Sequence, residues 1–121
     1  MNPVMTYKPG LHIIAEFTSA HAHLLNSSSP FRDFLNKEIA LQQLNKVGEV
    51  YHDFDGGGFT AVVCLTESHI SIHTWPKYGL ATFDVFLSNY QQINDGKARD
   101  IYDRVVRFYN GTELQKNEIK R

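Results

Sequence analysis

The chain has 121 residues, 42% of them hydrophobic and 21% charged, with twelve Lys and Arg set against thirteen Asp and Glu. That length, with fifteen aromatic residues, suits one domain with its own hydrophobic core and excludes an intrinsically disordered chain. A net charge of -1 and a pI of about 6.6 exclude a basic nucleic-acid footprint or a polybasic membrane arm, so neither nucleic acid nor a membrane is an expected partner.

Leu11 to Phe17 is an apolar stretch with β-branched residues and predicts a first strand. Ser29 as N-cap and Pro30 at the first helical position then open a helix. Phe31, Phe34, Leu35, Ile39 and Leu44 recur at roughly helical spacing, and Gly48 offers a left-handed C-terminal cap. From Glu49 the period becomes two, as Val50, His52 and Phe54 alternate with Tyr51 and Asp53, and Asp55-Gly56 supplies a hairpin turn. Phe59 to Thr66, His69 to Thr74 and Leu80 to Leu87 read as further strands. The last element is an amphipathic helix with Asn94 as cap, Ala98, Ile101, Tyr102, Val105 and Phe108 on one face, and Asn110-Gly111 as its stop. The polar tail beyond Gly111 is expected to fray.

This order predicts an α+β fold for a single domain spanning residues 1 to 121, a two-layer sandwich with an antiparallel sheet and two helices on one face. The other sheet face is left uncovered, and a second copy is the expected cover, which makes a homodimer the expectation. The single cysteine, Cys64, allows no intrachain disulfide, which fits a reducing compartment. Met1 to Lys8 lacks the features of a secretory signal, and no apolar run is long enough to span a bilayer, so a cytoplasmic protein is expected.

The densest polar cluster is Thr66-Glu67-Ser68-His69-Ile70-Ser71-Ile72-His73-Thr74-Trp75-Pro76. His69 and His73 would share a helix face, but Pro76 and the β-branched neighbours favour a strand. There the two histidines stand about 13 Å apart, too far for one zinc ion. His21 and His23 have no carboxylate or cysteine pattern beside them, and no metal is expected. Ser68, His73 and Asp84 supply the residue types of a hydrolase triad, yet the Gly-x-Ser-x-Gly elbow is missing. Gly56 to Gly58 fits neither a dinucleotide nor a P-loop spacing, and a hairpin turn explains it. Taken alone, Ser68 is an ordinary strand-end serine, His73 a hydrogen-bonded half-buried histidine, Asp84 a structural carboxylate and Cys64 a small core residue.

Glu67 to Pro76, followed by Gly79, Ala81 and Asp84-Val85-Phe86, resembles the processing-site signature of the prokaryotic S-adenosylmethionine decarboxylase proenzyme family. The likeness extends to Gly10-Leu11-His12, Ala15-Glu16 and His52-Asp53-Phe54, and so covers roughly residues 8 to 90. The resemblance implies that the backbone breaks itself between Glu67 and Ser68, and that Ser68 becomes a pyruvoyl cofactor. His73 would be the base that removes the serine α-proton, with Thr60 standing where the family has a serine that assists processing. The pyruvoyl ketone would form a Schiff base with the substrate amine and take up the electrons left as carbon dioxide departs. Phe54 would stack on adenine.

Two positions depart from the family pattern. Ser88 replaces a cysteine that returns a proton to the product carbon, and a hydroxyl is a far weaker acid than a thiol of pKa about 8.5. Lys77 replaces a glutamate associated with the substrate ribose, so an acceptor has become a donor. The implied function is a pyruvoyl-dependent decarboxylase that makes the aminopropyl donor for spermidine. The alternatives are the same machinery acting on another amino acid such as ornithine or arginine, and an uncleaved pseudoenzyme that binds or regulates a partner.

Overall fold

The computed structural model describes residues 7 to 121; Met1 to Thr6, most of the segment read above for a secretory signal, lie outside the described residues. In chain order the elements are β1 (Leu11–Ser19), α1 (Ser29–Leu41), β2 (Lys46–Asp53), β3 (Phe59–Leu65), β4 (Ser68–Trp75), β5 (Leu80–Leu87), α2 (Asp95–Phe108) and β6 (Gly111–Lys120), with 3-10 turns at Ala22–Leu25 and Pro76–Tyr78. The strands form one sheet in the order β2-β3-β4-β5-β1-β6, and every neighbouring pair is antiparallel.

Successive side chains of a strand point to opposite faces, so alternate residues of each central strand build the core. Leu11, Ile13, Ala15 and Phe17 of β1, Phe59, Ala61, Val63 and Leu65 of β3, Ile70 and Ile72 of β4, and Ala81, Phe83, Val85 and Leu87 of β5 are all buried. Phe31, Leu35 and Ile39 of α1 and Ala98, Ile101, Tyr102 and Val105 of α2 complete it. Phe31 meets Phe59 at 5.9 Å and Phe83 meets Tyr102 at 6.3 Å between ring centroids, which sets both helices on the same sheet face. The architecture is the expected two-layer α+β sandwich. Among the described residues no helix is long and apolar enough to cross a membrane.

Four local expectations are corrected. The N-cap of α1 is Ser28, so Pro30 is the second helical residue. The helix ends at Leu41 rather than running on towards Gly48, because Gln43 takes the left-handed conformation with φ of 57°. Leu44 N–H then donates to Ile39 O at 2.9 Å and Gln43 N–H to Ala40 O at 3.1 Å, which closes the helix in a Schellman motif. Gly48 lies in β2 beside a register shift. The tail beyond Gly111 is strand β6, paired with β1 along its length; it carries no apolar alternation because it is an exposed edge strand held by its backbone ladder. Cys64 is exposed rather than in the core, because its parity in β3 turns it to the uncovered face.

That face is organised by register. Cys64, His69, Phe86 and His12 lie side by side across β3, β4, β5 and β1, followed by the row Val62, Ser71, Asp84, Ile14 and then Thr60, His73, Thr82, Glu16. Ile14, Val50, Val62 and Ile119 are exposed there. At its centre Asp84 Oδ2 accepts from His12 Nε2 at 2.9 Å and from His69 Nε2 at 3.3 Å, while Asp84 Oδ1 accepts from the Ser71 hydroxyl. Burial pushes the Asp84 carboxyl up, but the hydrogen bonds from Ser71, His12 and His69 outweigh it and hold the group below the ordinary carboxylate range.

A carboxyl whose folded pKa lies below its unfolded value stabilises the fold above the unfolded pKa, and that contribution is lost as pH falls through the folded pKa. The stability gap between wild type and Asp84→Asn, followed by urea unfolding at successive pH values, should therefore be full above about pH 4 and shrink below it. A gap that does not change with pH would place the stabilisation elsewhere.

Candidate active site

Strand β4 has a site at each end. At its start, β3 and β4 are joined by the two residues Thr66 and Glu67, and that turn is held from two sides. Thr66 N–H donates to Asn45 O at 2.9 Å. The Glu67 carboxylate accepts from Asn45 N–H at 3.2 Å and from Asn45 Nδ2 at 3.3 Å. From the other side, Ser88 N–H donates to the Glu67 carbonyl oxygen at 2.7 Å. Ser68, the next residue, has φ of 145°. For a residue with a Cβ this is a strained backbone, worth about 1–3 kcal/mol, and it is kept only where the surroundings enforce it. A polar cavity of about 320 Å³ opens here, with Asn45, Glu67, Ser88 and Asn94 in its wall.

At the far end of β4, His73 lies in register with Thr60 of β3, and Thr60 Oγ1 meets His73 Nδ1 at 2.6 Å. These two line a cleft of about 420 Å³ together with Phe54, Trp75, Lys77 and Tyr78. Phe54 stands at the β2–β3 hairpin, 51% exposed, with its ring edge-on to His52. The hairpin packs closely on β4: a Cβ at Gly58, whose φ is 96°, would lie 3.0 Å from Thr74 O. Lys77 is exposed, and its ammonium lies 5.7 Å from the centre of the Tyr78 ring.

The structure thus divides the residues singled out by the sequence. Glu67, Ser68 and Ser88 meet at one end; Phe54, Thr60, His73 and Lys77 gather at the other. Ser68 and His73 are five residues apart on one strand, about 16 Å at ~3.3 Å per residue, so a single copy of the chain does not bring the histidine to the serine. The hydrolase constellation is not assembled either, since Asp84 pairs with Ser71, His12 and His69 instead.

Among the described residues, His12, His69 and Asp84 also place possible metal-ligand atoms within 4.8 Å of one another, a cluster that strand parity creates and sequence spacing hides. The chemistry around it is that of a hydrogen-bonded hub. Arg121 Nη1 donates to His12 Nδ1 at 3.2 Å, so the His12 proton sits on Nε2 and points at Asp84. A metal-bound histidine shows the opposite pattern, with its second nitrogen donating to an acceptor. His21 and His23 are exposed, their ring centroids 5.7 Å apart. The sequence offered Asn94 only as a helix cap and did not single out Asn45 or Asn89, because the bonds these side chains make to Glu67, Ser88 and Pro9 follow no residue spacing.

Comparison with known proteins identifies the family. Residues 11–121 match the family model described as S-adenosylmethionine decarboxylase. The S-adenosylmethionine decarboxylase proenzyme of Archaeoglobus fulgidus is 42% identical over 77 residues, 64% of this chain and 69% of that protein. The proenzyme of Aquifex aeolicus is 35% identical over 112 residues, 93% of this chain and 80% of that one. The crystal structure of the adenosylmethionine decarboxylase from Aquifex aeolicus superposes with a TM-score of 0.77 at 31% identity, covering 96% of this chain and 91% of that one. With a turn held at Glu67, a strained Ser68 and a family match over nearly its whole described length, the chain belongs to the S-adenosylmethionine decarboxylase family.

Proposed function

We propose that the chain is a pyruvoyl-dependent S-adenosylmethionine decarboxylase made as a proenzyme that cleaves itself between Glu67 and Ser68, supplying the aminopropyl donor for spermidine. The observation that carries this reading is the scissile geometry: a strained serine follows a glutamate whose carbonyl oxygen already accepts a backbone N–H at 2.7 Å. An amide carbonyl polarised by a fixed donor is prepared for attack, because the donor is aimed where negative charge develops.

Ser68 Oγ adds to the Glu67 carbonyl carbon. The hydroxyl proton passes to the Ser68 nitrogen as the C–N bond breaks, and an ester joins the two segments. A base then removes the Ser68 Cα proton, and Oγ leaves as part of the Glu67 carboxylate. The dehydroalanine that remains tautomerises and is hydrolysed by water with loss of ammonia, which leaves a pyruvoyl group at residue 68. His73 is the base: in the tautomer whose Nδ1–H donates to Thr60 Oγ1, the Nε2 lone pair is free to take a proton. The pyruvoyl carbonyl, once formed, supplies the electron sink for decarboxylation of an amino acid bound through its amine. Phe54 would offer an aromatic face to the adenine, and Ser88 would return a proton to the product.

His73 reaches Ser68 only from a second copy. A two-fold axis lying between two uncovered sheet faces and crossing β4 near Ser71 sets the Ser68 end of one chain against the Thr60 and His73 end of its partner. The same contact covers Ile14, Val50, Val62 and Ile119. The active unit is therefore a homodimer with two composite sites.

Lys77 favours a second reading, in which the same machinery takes another amino acid. S-adenosylmethionine carries a sulfonium cation, and an ammonium in the wall of the cleft repels it except where water screens the charge.

Intact mass under denaturing conditions should show two fragments, residues 1 to 67 and a pyruvoyl-blocked 68 to 121, and Ser68→Ala should leave one chain of 13.9 kDa. An uncut wild type after long incubation would sink the proenzyme reading in favour of a binding or regulatory pseudoenzyme. Mixing refolded Ser68→Ala and His73→Ala chains, neither of which cleaves alone, should restore cleavage of the His73→Ala chain; none in the mixture would rule out the shared site. Lys77→Glu with Ser88→Cys should raise S-adenosylmethionine turnover about tenfold or more, roughly 1.4 kcal/mol in barrier. No rise, together with faster decarboxylation of a different amino acid by the wild type, would establish the second reading.

A further inference from the structure

The segment that leaves β5 is held more tightly than its place in a loop requires. Ser88 offers its N–H to Glu67 O, and its own carbonyl accepts from Asn94 Nδ2 at 2.8 Å, so residue 88 is gripped on both sides of its Cα. Asn94 is in turn fixed by Asn89, whose Oδ1 accepts from Asn94 N–H at 2.6 Å. Asn89 Nδ2 donates to Pro9 O at 3.0 Å and to Asp95 Oδ1 at 2.9 Å. Beside them a Cβ at Gly10 would stand 2.4 Å from Leu87 O and 2.9 Å from the Ser88 Cα, so the start of β1 also presses on this backbone.

Asn94 is the N-cap of α2, a position where an asparagine ordinarily turns its side-chain oxygen to the free N–H groups of the first turn. Here it makes no such bond. Its Oδ1 is buried without a partner, in a residue only 3% exposed. An orphaned buried acceptor and a forgone cap both cost stability, and a local rule broken without a local return points to a functional site. What the side chain does instead is hold the peptide of Ser88.

We infer that Asn94, itself held by Asn89, is a positioning residue for self-cleavage: it fixes the Ser88 carbonyl, and through the Ser88 Cα the preceding peptide, so that the Ser88 N–H points at the Glu67 carbonyl oxygen during the acyl shift. The inference rests on the self-cleavage reading and goes beyond it by assigning this step to residues outside the Glu-Ser-His segment. In that step the Ser68 Oγ–C bond forms, the C–N bond breaks and the hydroxyl proton moves to nitrogen, while charge gathers on the oxygen that faces the Ser88 N–H. A donor held in place before the reaction needs no reorganisation as that charge appears.

The discriminating variant is Asn94→Asp. Aspartate keeps the size and capping preference of asparagine but not its amide donor, so a purely structural role predicts wild-type cleavage at temperatures where the variant remains folded. Loss of the Nδ2 donor instead predicts a first-order cleavage rate at least tenfold lower, read well below the variant's own thermal midpoint, where both chains are fully folded. Hydroxylamine isolates the step, since it captures the ester as a Glu67 hydroxamate and releases a fragment beginning with an unmodified serine. In a His73→Ala chain, where elimination is blocked, hydroxylamine should cleave between Glu67 and Ser68. In His73→Ala/Asn94→Asp the same cleavage should be at least tenfold slower. Equal rates in both comparisons overturn the role of Asn94 and leave the proenzyme reading standing. A wild type that neither cleaves itself nor yields a hydroxylamine product overturns both.

Discussion

In the four central strands, alternate residues point to opposite faces of a six-stranded antiparallel sheet, and the division between core and chemistry follows from that alternation. The odd positions of β1, β3 and β5 and the even positions Ile70 and Ile72 of β4 are buried beneath the two helices. The intervening positions hold His12, Thr60, His69, Ser71, His73 and Asp84, all on the face that no helix covers. Each large side chain fully withdrawn from water on the helix side contributes about 1.5–3 kcal/mol. The helix-covered face can therefore supply the stability while the other carries polar groups. A shift of one residue in any of these strands would exchange the two sets and lose both core and site.

Strain at Ser68 and the restraints on Glu67 belong together. A backbone at φ of 145° on a serine persists because the turn that precedes it is tied down twice: Thr66 and Glu67 to Asn45, and the Glu67 carbonyl to Ser88. Those ties run to the end of α1 on one side and to the start of α2 on the other. The whole fold thus bears on one peptide bond, and in the proposed self-cleavage the strain held there would be released as that bond opens. The helices do two jobs with opposite faces of the chain's organisation: they cover the sheet, and their flanking residues hold the turn.

In the proposed homodimer, the distance between Ser68 and His73 gives the uncovered face its purpose. Residues five apart on an extended strand cannot meet, and a two-fold pairing of sheets is the economical way to bring the end of one β4 to the other end of its partner. The central hub of Asp84, His12, His69 and Ser71 would lie close to that axis, already hydrogen-bonded within its own chain. A face that arrives with its polar groups satisfied avoids most of the desolvation cost of unpaired ones.

Much was legible before any coordinates. Periodicity located both helices and five strands, and Glu67-Ser68-His69 with its neighbours marked the site and the family. These are properties of residues close in the chain, where propensity and alternation act directly. β6 was missed because an exposed edge strand is held by backbone pairing and shows no apolar pattern, and Cys64 was misplaced because an apolar run such as Ala61 to Leu65 does not reveal which parity faces the helices. Register alone decided that Asp84 belongs with His12 and His69 and that Ser88 reaches Glu67 through its backbone. Each of those contacts joins segments separated along the sequence, and hydrogen-bond direction and strand register exist only once the sheet has formed.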